Sequence, residues 1–289
     1  MELKNHQPPL DVEQQIENLK NIGLVINNED YARKILNDIS YFRLIKGCGI
    51  GLKERNSSFD GSITFENIVR IYFFDAKLRQ LISEQIEKIE INFRCRLCNF
   101  FCCKYGVTEY ENVTHFVNED FHNEFLEAIN KEITRKCEFP FVKNFKNNYF
   151  GGKLPMYALA EIATFGTLSK FFKNMMSTDK KDFAKIYGVG YTYLESWIEH
   201  ISSVRNICAH YNRIYNFKLP KRPMLYSHDN VEPNKIFATL LCIKRLLPRD
   251  RHWVEFADTL EILFEKYPDI DKFCIGFPAD WYNKLINEK

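Results

Sequence analysis

The chain has 289 residues, 45% hydrophobic and 27% charged, and its 40 basic against 38 acidic side chains leave a net charge of +2. That is enough apolar mass for a large core, and it excludes a disordered polyampholyte or a global basic field that would by itself bind nucleic acid. Aromatics are plentiful, with 25 Phe and 15 Tyr, while 12 Gly and 10 Pro are few for this length, a balance that favours an all-α chain.

Pro8 and Pro9 close a short polar leader. Asp11 then reads as the N-cap of a helix to about Gly23, with Val12, Ile16 and Leu19 on one face. A second helical pattern runs over 28–40 with Tyr31, Ile35 and Ile39 in register. Gly47, Gly49 and Gly51 mark a loop, and 53–62 is polar and turn-rich. Thr64 opens the longest pattern: no Gly or Pro occurs from Phe65 to Tyr105, and Ile68, Ile71, Leu78, Ile82, Ile86, Ile89 and Phe93 keep helical spacing. Unbroken, that helix spans roughly 60 Å and suits the spine of a bundle. Gly106 ends it.

Further helices are predicted at about 118–137, 140–149, 155–165, 167–176 and 179–187. After Gly188 and Gly190 comes a helix over about 191–213, with Leu194, Trp197, Ile198, Ile201 and Val204 on its apolar side. A polar loop holding Pro220 and Pro223 leads to helices at about 233–247 and 253–266, then a tail with Gly276-Phe277-Pro278 and Trp281. No strand, repeat or low-complexity segment stands out.

The nine cysteines follow no secretory leader, and no long uncharged apolar run could span a membrane. A reduced, cytoplasmic setting is expected. Cys95, Cys98 and Cys102 are spaced as one helix face among Phe and Leu, so a buried face is expected rather than a metal site. His115, His122, His200, His228 and His252 share no ligand spacing. No metal or cofactor is called for.

The chemistry concentrates in Ser202-Ser-Val-Arg205-Asn206-Ile-Cys208-Ala-His210-Tyr211-Asn212-Arg213-Ile-Tyr-Asn216. On a continuous helix Ser203, Asn206, His210 and Arg213 would share one face, with Arg205 reaching in from its edge. For RNA cleavage, His210 is the candidate base for a 2′-hydroxyl, Arg205 the stabiliser of charge on the phosphate, and Asn206 the holder of either group. The nucleophile is internal to the substrate, so this route needs no metal. From Arg205 to Arg251 ten Lys or Arg face three acids, a local +7. Arg213, Lys218, Lys221, Arg222, Lys244 and Arg245 are the candidate phosphate grips in it. Glu90, Arg94 and Ser203 are candidate cleft supports, and Glu90 with Arg94 also reads as an i,i+4 helical pair.

Arg205-Asn-Ile-Cys-Ala-His210-Tyr-Asn-Arg213-Ile-Tyr-Asn216 resembles the Arg-Asn-x-x-Ala-His-x-x-Arg-x-x-Asn region of Abi-like proteins. These are abortive-infection proteins of the AbiD/AbiF kind, built around a HEPN domain. Ile39-Ser-Tyr41-Phe42-Arg43-Leu44, Phe74-Asp75-Ala-Lys-Leu78-Arg79, Phe165-Gly166-Thr-Leu168-Ser169 and Gly276-Phe277-Pro278 with Trp281 are similar to further motifs of that family. The family's Ser-Gly-Tyr after Arg-Leu is here Ile45-Lys46-Gly47-Cys48.

The resemblance implies an all-α, HEPN-like bundle with helical extensions. The corresponding regions are 1–62, a core over 63–232 that carries Arg-x4-His, and 233–289 packed on that core as one continuous unit. It also implies a metal-independent endoribonuclease in phage defence or a toxin–antitoxin pair. Two motif copies would meet in a homodimer, RNA would be the substrate, and a cognate small RNA or protein would restrain it. The rival expectation is a non-catalytic RNA-binding module whose arginines and histidine only grip phosphate.

Overall fold

The computed structural model describes residues 8–49, 59, 61–247 and 251–287. Gly51, most of the polar stretch over 53–62, and Arg249 of the basic window lie outside the described residues. What is described is all-α: α1 (Val12–Asn21), α2 (Glu29–Asp38), α3 (Phe65–Tyr105), α4 (Glu119–Arg135), α5 (Pro140–Asn148), α6 (Met156–Ile162), α7 (Phe165–Asn174), α8 (Ser177–Lys185), α9 (Tyr191–Ala209), α10 (Ile236–Leu246), α11 (Arg251–Lys266) and α12 (Trp281–Ile286). Two isolated bridges, Val25 with Thr64 and Phe116 with Met175, are the only strand-like pairings among the described residues.

The 41-residue α3 is the spine. Thr64 and Asn67 close a reciprocal capping box at its start, each side chain accepting from the other's backbone N–H. At its end Gly106 takes φ 117°, a conformation open to glycine. The π-helix Phe42–Cys48, α6, α7, α9, α10 and α11 all pack on α3. Three aromatic nodes show how. Phe74 meets Tyr215, Phe264 and Tyr267; Phe93 meets Phe165, Phe172 and Phe183; Phe101 meets Phe116 and Phe171. One connected core therefore runs from Ile16 near the start to Leu285 in α12.

Two segments depart from the sequence expectation. Residues 42–48 form a π-helix that runs into Gly47, where the glycines are expected to mark a loop. The cysteine face of α3 is only partly inward: Cys98 is buried, Cys102 is half-buried and Cys95 is exposed. Among the described residues no group of three His, Cys, Asp or Glu side chains is placed to hold a metal ion.

The C-terminal helices explain their own motif. Gly276 takes φ 82°, and a Cβ there would lie 2.5 Å from Lys235 Cβ, so only glycine fits. That turn delivers Phe277 and Trp281 onto Phe264. Trp197 of α9 is fixed in the core by its indole N–H, which donates to Met224 O at 2.6 Å. Trp197 and Trp281 both serve packing. Among the described residues no helix is long and apolar enough to cross a membrane.

Candidate functional site

The predicted helix over 191–213 stops at Ala209. His210 is its C-cap (φ −89°, ψ 10°), and the chain then reverses. Asn212 N–H donates to Ile207 O at 2.9 Å and Tyr211 N–H to Cys208 O at 3.0 Å. This nested pair is a Schellman turn, which satisfies the last carbonyls of the helix and needs a left-handed residue just past the cap. Glycine normally takes that position. Here Tyr211 does, at φ 58°, a conformation that costs a non-glycine residue about 1–2 kcal/mol. Arg43 clamps the turn from outside, its Nη1 donating to Tyr211 O at 2.7 Å.

The consequence is that the expected four-residue face is split. Ser203 and Asn206 stay on the helix, His210 projects from its end, and Arg213 lies past the turn. Asn206 holds His210 through its backbone carbonyl, which accepts the His210 N–H at 3.0 Å. The Asn206 amide makes no bond to the ring. The imidazole is exposed and has no hydrogen-bond partner among the described residues.

Arg205 lies one turn inside the helix end. Its Nε donates to Glu90 Oε2 at 3.2 Å, and Glu90 Oε1 takes Arg94. Arg94 in turn donates to the carbonyls of Ala160 and Ala163, next to the start of α7 at Phe165-Gly166. One carboxylate thus ties two guanidiniums together. Glu90 and Arg94 are largely covered, at 13% and 16% exposure, whereas Arg205 is 46% exposed. Among the described residues the two Nη groups of Arg205 have no partner. The i,i+4 pair of Glu90 and Arg94 is formed, and Glu90 also holds Arg205.

A second carboxylate of α3 fixes the strand of chain beyond His210. Asp75 is buried, and its Oδ1 accepts from Ile214 N–H at 2.9 Å and Tyr215 N–H at 2.7 Å, while Oδ2 pairs with the buried Arg79. Burial raises the Asp75 carboxyl, and Arg79 with the two backbone donors opposes that rise. The Ile39–Leu44, Phe74–Arg79 and Arg205–Asn216 motifs therefore converge on one turn. The family profile of Abi-like proteins matches residues 34–216, a span that contains all three. The chain belongs to the Abi-like protein family. No curated protein and no solved structure matches it.

Membership ties this Abi-like protein to abortive infection. Its basic window divides sharply. Lys218 and Arg222 are exposed and without partners among the described residues; Lys221 is exposed and pairs with Glu199 at 2.7 Å. Burial pushes Glu199 up, but Lys221 and Lys173 outweigh it and hold the carboxyl below its ordinary range. Arg213 is half-buried and turned toward Asp75 and Cys48.

Lys244 and Arg245 point the other way from the expectation. Lys244 Nζ donates to Lys284 O and Asn287 O at 2.7 Å each, capping α12. Arg245 pairs with buried Asp229 and stacks over Tyr226 and Trp197. Neither is placed on a surface that could meet phosphate, because free carbonyls and a buried carboxylate draw cations inward. Ser203 and Asn206 instead line a cleft of about 360 Å³ between α4, α7 and α9, with Lys170, Lys173 and Lys221 at its rim.

His200 is the inner counterpart of His210. It is 1% exposed; Nδ1 donates to Lys221 O at 2.8 Å, so Nε2 accepts from Thr239 Oγ1 at 2.8 Å. Burial pushes the ring down to about 4, which keeps it neutral. The helix period alone marks His200 as inward, beside Trp197 and Val204. Asp75, Arg79 and Arg43 are the contributors that residue chemistry alone did not single out; only their place in recurrent motifs signalled them.

Proposed function

We propose that this Abi-like protein is a metal-independent endoribonuclease of the HEPN kind. The observation that carries the reading is the combination of an exposed imidazole at the α9 cap, unpartnered among the described residues, with a guanidinium that Glu90 holds through Nε. In the reaction His210 takes the proton of a ribose 2′-hydroxyl, and the freed oxygen attacks the adjacent phosphorus. The O2′–P bond forms as P–O5′ breaks, giving a 2′,3′-cyclic phosphate, and the departing 5′-oxygen takes a proton from a general acid. The Nη groups of Arg205 meet the charge that grows on the non-bridging oxygens. Lys218 and Arg222 extend the grip along the strand by charge. A single motif copy supplies one imidazole, so a second chain in a homodimer would provide the acid.

One feature favours binding without cleavage: no carboxylate or amide among the described residues orients the His210 ring. The two readings part in one experiment. Purified protein is incubated with total RNA in excess EDTA, beside His210→Ala and Arg205→Ala. The enzyme reading expects fragments from the wild type and a loss of about 10²–10⁴-fold in rate in His210→Ala. Salt-dependent RNA binding with no fragments under any condition would leave only the binding module.

A further inference from the structure

A second, smaller pocket opens one residue beyond His210, with a volume of about 280 Å³. Among the described residues its wall carries Arg43, Lys46, Arg79 and Arg213 against one carboxylate, Asp75. Four cations around one anion leave an excess of three positive charges. Asp75 has nothing left to give, since both its oxygens are engaged by Arg79 and two backbone N–H groups. Arg79 is engaged by that pair, and Arg43 is engaged through one nitrogen by Tyr211 O. Arg213 is not. Its Nη1 is shielded from solvent and has no hydrogen-bond partner among the described residues.

A guanidinium N–H left unpaired and dry is costly, and converging guanidiniums repel one another in a poorly screened space. Nor does Cys48 supply the missing charge. Burial pushes its thiol up to about 12, so it stays neutral. The pocket is short of an anion, and phosphate is the anion a set of guanidinium forks matches best.

The pocket also has an annexe. A groove of about 890 Å³ shares Arg43, Tyr72, Arg79 and Tyr211 with it. Tyr211 is 69% exposed. Two phenol rings beside a phosphate pocket are a surface on which a nucleobase can stack.

We propose that this pocket binds a nucleoside phosphate, with the phosphate held by Arg213, Arg43 and Lys46 and the base lying in the groove beside Tyr72 and Tyr211. The ligand is either a free nucleotide or one unit of an RNA strand. In the second case the site would hold the nucleotide next to the one cut at His210, and only that case rests on the ribonuclease reading. The strain at Tyr211 then has a use: the left-handed turn aims the ring at the groove and sends Arg213 back into the pocket.

The test titrates the full chain with inorganic phosphate, AMP and a 2′-O-methyl RNA decamer, which cannot undergo 2′-hydroxyl attack. Wild type is compared with Arg213→Gln, Lys46→Gln, His210→Ala and Arg205→Ala, each checked for unchanged melting. Lys46 is exposed, so Lys46→Gln reports even if Arg213→Gln fails to fold. Saturable AMP binding, weakened tenfold or more by the Arg213 and Lys46 variants and kept in His210→Ala, would identify a free-nucleotide site. Weak AMP binding, with decamer binding lowered tenfold by the same variants, would assign the pocket to the strand. The proposal fails if folded Lys46→Gln and Arg213→Gln bind all three probes as the wild type does. It fails equally if His210→Ala and Arg205→Ala abolish binding while the pocket variants keep it. Cleavage is not read in this assay, so the site can stand when the ribonuclease reading falls, and the reverse.

Discussion

α9 and the turn that caps it carry two histidines, and α3 offers them two carboxylates; in each case one is buried and one lies at the edge. His200 has both ring nitrogens bonded and is held neutral, whereas the imidazole of His210 is exposed and, among the described residues, unpartnered. Asp75, 1% exposed, spends its oxygens on backbone and on Arg79. Glu90, nearer the surface, spends its oxygens on two guanidiniums and leaves Arg205 partly free. The residue types match, and what differs is how much of each group is already committed. Asp75 secures the turn and His200 ties α9 to Lys221 and Thr239, while His210 and the Arg205 that Glu90 holds are left to meet a ligand.

If that division is right, the inner groups answer in stability and the outer ones in RNA chemistry. The largest effect belongs to Asp75→Ala. It strands the buried Arg79 and frees Ile214 and Tyr215, so the loss should reach about 3–5 kcal/mol in urea unfolding. A loss near zero would show that the turn holds itself.

His200 comes next. Its folded value of about 4 lies below the ordinary 6.5, so the unfolded chain takes the proton first as pH falls. Stability from this group is fully present above pH 6.5 and is lost between pH 6.5 and 4, by about 3 kcal/mol in all. In a His200→Gln variant that part of the acid slope should vanish; if the slope persists, the lability comes from other groups.

Glu90→Gln should cost about 1 kcal/mol or less, because Arg94 keeps the Ala160 and Ala163 carbonyls and Arg205 is half in water. Cleavage should nevertheless fall about tenfold or more, since Arg205 loses its tether. The reverse pattern, a large stability loss with activity kept, would make Glu90 an inner residue. Smallest of all, Tyr211→Gly should raise stability by about 1 kcal/mol by relieving the left-handed strain. A drop instead would mean that the ring's own contacts outweigh the backbone cost.

The spine was legible because nothing interrupts it: Thr64 announces its start, Gly106 its end, and apolar spacing its inner face. The end of α9 was not. A Schellman stop is usually marked by glycine, and Tyr211 carries none of that signal, so the helical pattern reads on to Arg213. The basic window misled for a related reason. Charge count shows no direction, and Lys235 and Lys244 are drawn inward by the open carbonyls of Cys274, Lys284 and Asn287. The Arg205–His210 core of the candidate site was plain in the chain. Its supports, Arg43 and Asp75, act from sites more than a hundred residues away and reach the turn only through tertiary contacts.

The most direct measurement is the end chemistry of RNA fragments made by the wild-type protein in excess EDTA. A 2′,3′-cyclic phosphate opposite a 5′-hydroxyl, absent with His210→Ala, is the predicted result. Fragments ending in 3′-hydroxyl and 5′-phosphate, or fragments undiminished in His210→Ala, would contradict it.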